Sequence, residues 1–98
     1  MKKIEPKFFT HDELNSIMKI YQTFEEKLEQ RSALSACIVE EFDFSGIDLS
    51  SIFAIGSIFI RCKFIDCELY GAIVDESQFI NADFRGANLG KANFYTCS

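Results

Sequence analysis

Proline and glycine, the residues that most often shape tight turns, are scarce in this sequence. Its 98 residues include one proline and five glycines, and it has no tryptophan and one histidine. Because proline and glycine supply most of the backbone angles that turns require, a compact fold of this chain must form its corners with other residues. One histidine also leaves few of the side chains that acid–base catalysis uses most often.

Long apolar runs and an excess of basic residues are missing as well. No run approaches the length that a transmembrane helix needs, and residues 1–6 lack the apolar centre of a secretory signal. The net charge of −5 argues against direct binding to nucleic acid and suits a basic protein partner. We therefore expect a cytoplasmic protein without membrane contact, whose four cysteines are free thiols.

Apolar residues recur at every fifth position over half of the chain. The series is Phe44, Leu49, Ala54, Phe59, Phe64, Leu69, Val74, Phe79, Phe84, Leu89 and Phe94. The residues two positions before these are all small from Cys62 onward. A period of five fits neither an α-helix nor a flat β-strand, and internal repeats of this kind indicate a repeat architecture.

The clearest repeats are Ala-Asp-Phe-Arg-Gly at 82–86 and Ala-Asn-Leu-Gly-Lys at 87–91. They resemble the pentapeptide-repeat family, whose consensus is close to Ala-(Asp/Asn)-Leu-X-X, and the resemblance covers residues 42–96. It implies a mainly β fold, a right-handed four-sided β-helix in which four consecutive pentapeptides make one coil. We expect about three coils at 37–98 and an N-terminal helical segment at 1–36, which together form one structural domain.

A coil of four pentapeptides predicts that positions 20 apart stack in one interior column. The four columns are Phe44, Phe64 and Phe84; Leu49, Leu69 and Leu89; Phe59 and Phe79; and Ala54, Val74 and Phe94. Three of the four hold identical residues, which supports the period of 20 independently of the period of five. Stacked rings of the same kind pack without voids.

Residues 10–31 have the pattern of a single amphipathic helix. Thr10 and Glu13 stand at capping-box spacing, and the apolar residues that follow keep helical spacing. These are Leu14, Ile17, Met18, Tyr21, Phe24 and Leu28. The apolar face of this helix has two candidate targets, the open N-terminal end of the coil stack or an outer wall of the stack.

Outward positions are mostly polar, but six apolar residues fall on two neighbouring sides of the predicted coil. They are Phe53, Ile55, Ile58, Ile60, Ile73 and Ile80. A bare apolar patch of this size is rare on a monomer. We interpret it as a partner-binding surface or dimer contact, or as the wall that the N-terminal helix covers.

An acidic patch and the C-terminal end are two further candidate contacts. The patch comprises Asp43, Asp48, Glu68 and Asp83 on neighbouring sides, where it would steer a basic partner. At the end, Phe94 and Tyr95 belong to the last pentapeptide, whose edge backbone groups invite pairing. A homodimer through this end, a docked partner and a polar cap formed by the tail are the alternatives.

We predict no catalytic, metal or cofactor site. His11 is interpreted as a solvated residue of the first helical turn. Cys62 and Cys67 occupy interior small positions, where a buried thiol is inert, and Cys37 follows the same pattern. Cys97 lies near the end of the chain, and no phosphate-binding glycine loop or HExxH zinc motif is present.

These features favour a non-catalytic protein-binding module. Our specific hypothesis is a bacterial immunity or inhibitor protein that neutralises a toxin by direct binding, because toxic nucleases are often basic and an acidic surface complements them. One alternative is a DNA mimic that interacts with gyrase, as some pentapeptide-repeat proteins do, although about three coils are short for that role. Another is an adaptor or scaffold module of a secretion or effector system.

Overall fold

Four short parallel strands and two helices are the regular elements of the chain, which a computed structural model describes over residues 5–94. In chain order they are β1 (Lys7–Phe8), α1 (His11–Ile20), α2 (Phe24–Glu29), β2 (Cys37–Glu40), β3 (Ile58–Ile60) and β4 (Gln78–Ile80). The strands form one sheet in the order β1-β2-β3-β4. Because parallel neighbours need a crossover connection, the chain must wind around once between β2 and β3 and again between β3 and β4.

Residues that pair between successive windings are always 20 positions, or four pentapeptides, apart in the sequence. In the sheet, Val39 pairs with Phe59 and Phe59 pairs with Phe79. Three further ladders follow at five-residue steps along the chain: Asp43–Lys63–Asp83, Asp48–Glu68–Asn88 and Phe53–Ile73–Asn93. The described chain is therefore a β-helix-like solenoid. We call residues 37–56 unit 1, residues 57–76 unit 2 and residues 77–94 unit 3.

Stacked phenylalanine rings fill the interior of the solenoid. Phe64 lies between Phe44 and Phe84, with ring centroids 5.0 and 4.8 Å apart and planes within 8° of parallel. Phe59 stacks on Phe79 at 5.2 Å, and the two columns meet edge to face, as between Phe59 and Phe64 at 5.7 Å and 79°. These spacings match the distance between neighbouring strands, so backbone ladders and aromatic columns share one repeat. The predicted interior columns are confirmed over the described residues.

Left-handed residues make the corners, at every fifth position from 36 to 91. Four of these positions are glycines with φ between 69° and 74°, and the other eight carry side chains with φ between 52° and 61°. The left-handed conformation costs a residue with a side chain about 1–2 kcal/mol, which the packing of the adjacent inward residues must offset. The chain therefore turns often with few glycines and one proline.

Small residues occupy the inner corner positions from Ser57 onward, whereas Phe42, Ile47 and Ile52 stand there in unit 1. Ser57 and Ser77 are fully buried there, and their hydroxyls replace missing backbone partners. The Ser57 hydroxyl accepts a hydrogen bond from the Cys37 N–H at 3.2 Å, and the Ser77 hydroxyl accepts one from the Ser57 N–H at 3.0 Å. Buried polar groups are tolerated when they are paired in this way.

The N-terminal segment contains two helices, so the prediction of one continuous helix is wrong. α1 begins at the predicted capping box, in which Thr10 and Glu13 satisfy each other's backbone N–H groups. A second cap interrupts the pattern at Thr23, whose side chain accepts from the Glu26 N–H and starts α2. The Tyr21 hydroxyl donates to the Gln30 carbonyl at 2.8 Å, which folds the chain back between the two helices.

The N-terminal segment covers the end of unit 1. Leu14 and Tyr21 lie in the same buried cluster as Val39, Phe44 and Leu49. These three are inward residues of unit 1, and unit 2 covers only one side of them. Strand β1 extends the sheet beyond β2, and its residue Phe8 pairs with Ile38. Solenoids expose apolar residues at their ends unless a cap is present, and the N-terminal segment is the candidate for this cap.

The central ring should contribute more to stability than a ring at the end of the stack. Phe64 is buried and contacts rings on both sides, whereas Phe94 is half-buried and, within residues 5–94, contacts one ring, that of Phe79, tilted at 6.2 Å. We expect Phe64→Ala to lower the free energy of unfolding by about 3–5 kcal/mol and Phe94→Ala to lower it clearly less. Urea denaturation of both variants measures this, and equal losses would contradict the column arrangement.

Two equivalent corners allow a reciprocal test of the left-handed conformation. Gly56 has φ 69° with open space around its Cα, and Glu76, at the same corner of the next unit, has φ 61°. We expect Gly56→Ala to lower the free energy of unfolding by about 1 kcal/mol and Glu76→Gly to raise it by up to about 1 kcal/mol. Thermal and urea unfolding measure both changes. If both variants are destabilised, the left-handed conformation does not strain Glu76.

Candidate protein-binding surface

The outward face of the sheet is mostly apolar, in contrast to the polar outward residues of most other sides. Phe59 points inward, so its neighbours Ile58 and Ile60 point outward. Register then aligns the outward side chains into two columns: Phe8, Ile38, Ile58 and Gln78 in one, and Glu40, Ile60 and Ile80 in the other. We call the five apolar residues of these columns the sheet face.

The sheet face is open to solvent at its two ends. Phe8 is 66% exposed and Ile80 is 43% exposed, whereas Ile38, Ile58 and Ile60 are half-buried between them. Exposed apolar residues grouped in this way make the sheet face a candidate interaction surface. Ile58, Ile60 and Ile80 are each next in sequence to Phe59 or Phe79, which stack on each other in an aromatic column.

The six apolar residues predicted from the sequence divide between the sheet face and the ladder before it. Ile58, Ile60 and Ile80 belong to the sheet face, and Phe53 and Ile73 pair with each other on the preceding ladder, where Ile55 is 39% exposed. The Arg31 guanidinium lies 4.2 Å from the centre of the Phe53 ring, so the N-terminal segment shields part of that ladder. The role of these residues as a binding surface stays a prediction.

Two residues of the sheet face were not predicted from the sequence. Ile38 pairs with Ile58, which lies 20 residues later. The 20-residue period would therefore have identified Ile38 if it had been extended towards the N-terminus. Phe8 lies before the helices and outside any repeat. Its position depends on the pairing of β1 with β2, for which the period of five gives no signal.

Several carboxylates lie beside the sheet face, and most of them form no ion pair with another residue between 5 and 94. Glu40 is the outward residue that pairs with Ile60, and Asp75 and Glu76 lie at the corner that leads into β4. Glu41 is neutralised by Arg61, with Nη2 and Oε1 2.8 Å apart. Among residues 5–94, the Oδ1 atom of Asp75 is the one buried side-chain oxygen or nitrogen without a hydrogen-bond partner.

The predicted acidic patch is interrupted by basic side chains. Lys63 lies in the ladder between Asp43 and Asp83, and Asp83 forms an ion pair with Arg85, with Oδ2 and Nη2 2.7 Å apart. Asp48 is 3.1 Å from the ammonium group of the fully buried Lys27. The patch therefore presents less net negative charge than its four carboxylates suggest, and its role in steering a partner stays a prediction.

These acidic residues also have a structural role, which is to accept a hydrogen bond from the backbone N–H two residues later. The distance is 2.8 Å from Asp43 to Ser45, 2.9 Å from Asp48 to Ser50, 3.1 Å from Glu68 to Tyr70 and 3.1 Å from Asp83 to Arg85. Hydrogen bonds from Ser45 lower the pKa of Asp43. Burial would raise the pKa of Asp48, but hydrogen bonds from Ser50 and the charge of Lys27 outweigh it and hold the pKa low.

The last described unit is less covered than the first two. Phe79, Phe84 and Phe94 are half-buried, and Leu89 is 40% exposed, whereas their counterparts in unit 2 are buried. Tyr95, which was predicted with Phe94 as an end contact, lies outside the described residues. The homodimer through this end stays a prediction.

The histidine and the cysteines have packing roles. His11 is exposed, but its Nε2 atom lies 2.9 Å from the Glu40 carbonyl oxygen and its ring packs edge to face on Phe42. The prediction of a merely solvated residue is therefore incomplete, because His11 connects α1 to the end of β2. Cys37, Cys62 and Cys67 are buried free thiols, as predicted. Burial raises the pKa of all three thiols, and that of Cys67 to about 12.

Two other kinds of site are absent from residues 5–94. No three side chains of histidine, cysteine, aspartate or glutamate are grouped closely enough there to hold a metal ion. None of the described helices combines the length and the apolar character needed to cross a membrane. Cys97 lies outside the described residues.

Comparison with known proteins identifies the repeat. A family model for pentapeptide repeats matches residues 62–98 with eight copies, and the resemblance drawn from the sequence is confirmed over those residues. Proteins of this family are typically non-catalytic and interact with other proteins. Neither the curated proteins nor the solved structures contain a match to the chain.

The ion pair between Lys27 and Asp48 should make stability depend on pH. Because the folded-state pKa of Asp48 is lowered, its contribution is present above the unfolded-state pKa and is lost as the pH falls through the folded-state value. A double-mutant cycle of Lys27→Met and Asp48→Asn should give a coupling of roughly 0.5–1 kcal/mol at neutral pH. At acidic pH this coupling should vanish.

A control cycle pairs Lys27→Met with Asp12→Asn, whose carboxylate forms no ion pair in the described structure. Urea unfolding at neutral and acidic pH should show no coupling for the control pair at either pH. A Lys27–Asp48 coupling that is unchanged in acid would exclude the ion pair as its cause.

Proposed function

We propose that this chain is a non-catalytic protein-binding module that acts by direct contact, and that its partner is a toxin that it neutralises. The observation that carries the proposal is the sheet face, an exposed apolar area that is held in place by the aromatic columns behind it. Binding to a preorganised surface avoids the cost of ordering flexible side chains. A rigid module of this size is therefore suited to hold a partner without doing chemistry on it.

The acidic charge supports a toxin as the partner. The chain has a net charge of −5, and opposite charge accelerates the encounter of two proteins and disfavours wrong partners. Nucleases and other proteins that hold nucleic acid are basic for the reason that their substrate is anionic. An inhibitor of such a protein needs negative charge, which the net charge of −5 supplies.

We also propose the finer geometry and setting that the family resemblance implies. The solenoid is a right-handed, four-sided β-helix of about three coils, which the four ladders with their common offset of four pentapeptides support. The N-terminal segment 1–36 then caps the β-helix at 37–98. We assign the protein to the cytoplasm, where its buried free thiols match a reducing compartment.

Coexpression with a toxin domain encoded beside its gene tests the proposal. We expect a one-to-one complex in size-exclusion chromatography and loss of toxicity. The double variant Ile60→Lys with Ile80→Lys should abolish the complex, because it places two charges in the apolar area. Tyr70→Lys is the matched control, since Tyr70 is 45% exposed but lies beyond the sheet face, and it should leave the complex intact.

Two outcomes would contradict the proposed function. If no toxin binds and the chain inhibits the supercoiling activity of gyrase, toxin neutralisation is wrong and the DNA-mimic alternative holds. If a complex forms but survives the double variant at unchanged affinity, the sheet face is not the binding surface.

A further inference from the structure

Asp75 is the acidic residue whose environment the fold does not explain. Its Oδ1 atom is buried and has no hydrogen-bond partner among residues 5–94. By contrast, Asp43, Asp48 and Asp83 each accept a backbone hydrogen bond. A buried polar atom is normally paired, and an unpaired one in a native protein calls for a role.

The location of Asp75 connects it to the sheet face. The Asp75 carbonyl accepts a hydrogen bond from the Gly56 N–H at 3.0 Å, which places Asp75 beside Ile55, an exposed apolar residue. The chain then turns at Glu76 and enters β4 at Gln78. Asp75 therefore lies at the border between the sheet face and the apolar ladder before it.

The charge around the sheet face determines which partner it favours. Glu40, Asp75 and Glu76 form no ion pair in the described part of the chain, whereas Glu41 is paired with Arg61. Three unpaired carboxylates beside an apolar area favour a cationic partner. A second copy of this chain brings the same carboxylates, and nucleic acids and anionic lipids are negatively charged, so each of these occupants is disfavoured.

We infer that the sheet face binds a protein segment in which aliphatic side chains alternate or cluster with lysine or arginine, and that Asp75 receives one of these cations. This inference rests on the protein-binding function proposed above. The aliphatic side chains would cover Ile58, Ile60 and Ile80. The cation would pair with the part of the half-buried Asp75 side chain that solvent reaches, and Glu40 and Glu76 would add attraction from the rim.

Selection from a library of random displayed peptides tests the inference and does not require the natural partner. Peptides are selected on the wild-type chain and depleted on the Ile60→Lys, Ile80→Lys variant, after its fold has been checked by its unfolding transition. We expect the retained peptides to be enriched in lysine or arginine together with isoleucine, valine or leucine. Tyr70→Lys serves as the control surface and should retain all of them.

One selected peptide is then titrated against single variants. Asp75→Asn keeps the shape of the side chain but removes its charge, and it should weaken binding by about tenfold or more. Asp43→Asn, which removes a carboxylate on a different ladder, should change the affinity less than about twofold. Higher salt should weaken binding to the wild type more than binding to Asp75→Asn.

The outcomes separate this inference from the function on which it rests. Peptides that need the sheet face but lack basic residues, or that bind Asp75→Asn as tightly as wild type, overturn the inference and leave the protein-binding function standing. A selection that yields no peptide able to distinguish the wild type from the double lysine variant contradicts both.

Discussion

Ring stacking at the spacing of neighbouring β-strands is the constraint on which the rest of the structure depends. Phe64 meets Phe44 and Phe84 at 5.0 and 4.8 Å, and the same offset of one coil governs every ladder from unit 1 to unit 3. A ring can stack on its counterpart only if the chain between them closes a complete winding. The interior therefore sets the register of the backbone, and the register sets which side chains face outward.

The corners and the polar residues follow from the same constraint. Five-residue steps require a left-handed residue at each corner, and eight of the described corners carry side chains at some cost in backbone energy. An aspartate that directly precedes an inward residue lowers this backbone energy cost locally. Its carboxylate accepts a hydrogen bond from the backbone N–H two residues later, as Asp43 does from Ser45. The acidic composition is thus partly a feature of the fold, and Asp75 lies outside this pattern.

The sequence was sufficient to predict the repeat, the inward residues and the buried cysteines, because each of these depends on periods of five and 20. It predicted three residues of the sheet face for the same reason. The break between α1 and α2 was missed because Thr23 interrupts an apolar pattern that continues across it. Phe8 and the pairing of Lys27 with Asp48 depend on contacts between the cap and unit 1, for which no periodic signal exists.

A rigid aromatic interior supports an apolar outward face with a carboxylate border. The central claim is that positions 20 apart form the interior contacts, and double-mutant cycles test this claim most directly. Phe59→Leu and Phe79→Leu, whose rings stack at 5.2 Å, should show a coupling of about 0.5–1.5 kcal/mol in urea unfolding. Phe44→Leu and Phe84→Leu, which are separated by Phe64, should add within about 0.5 kcal/mol. Equal coupling in both pairs, or none in the first, would contradict the account.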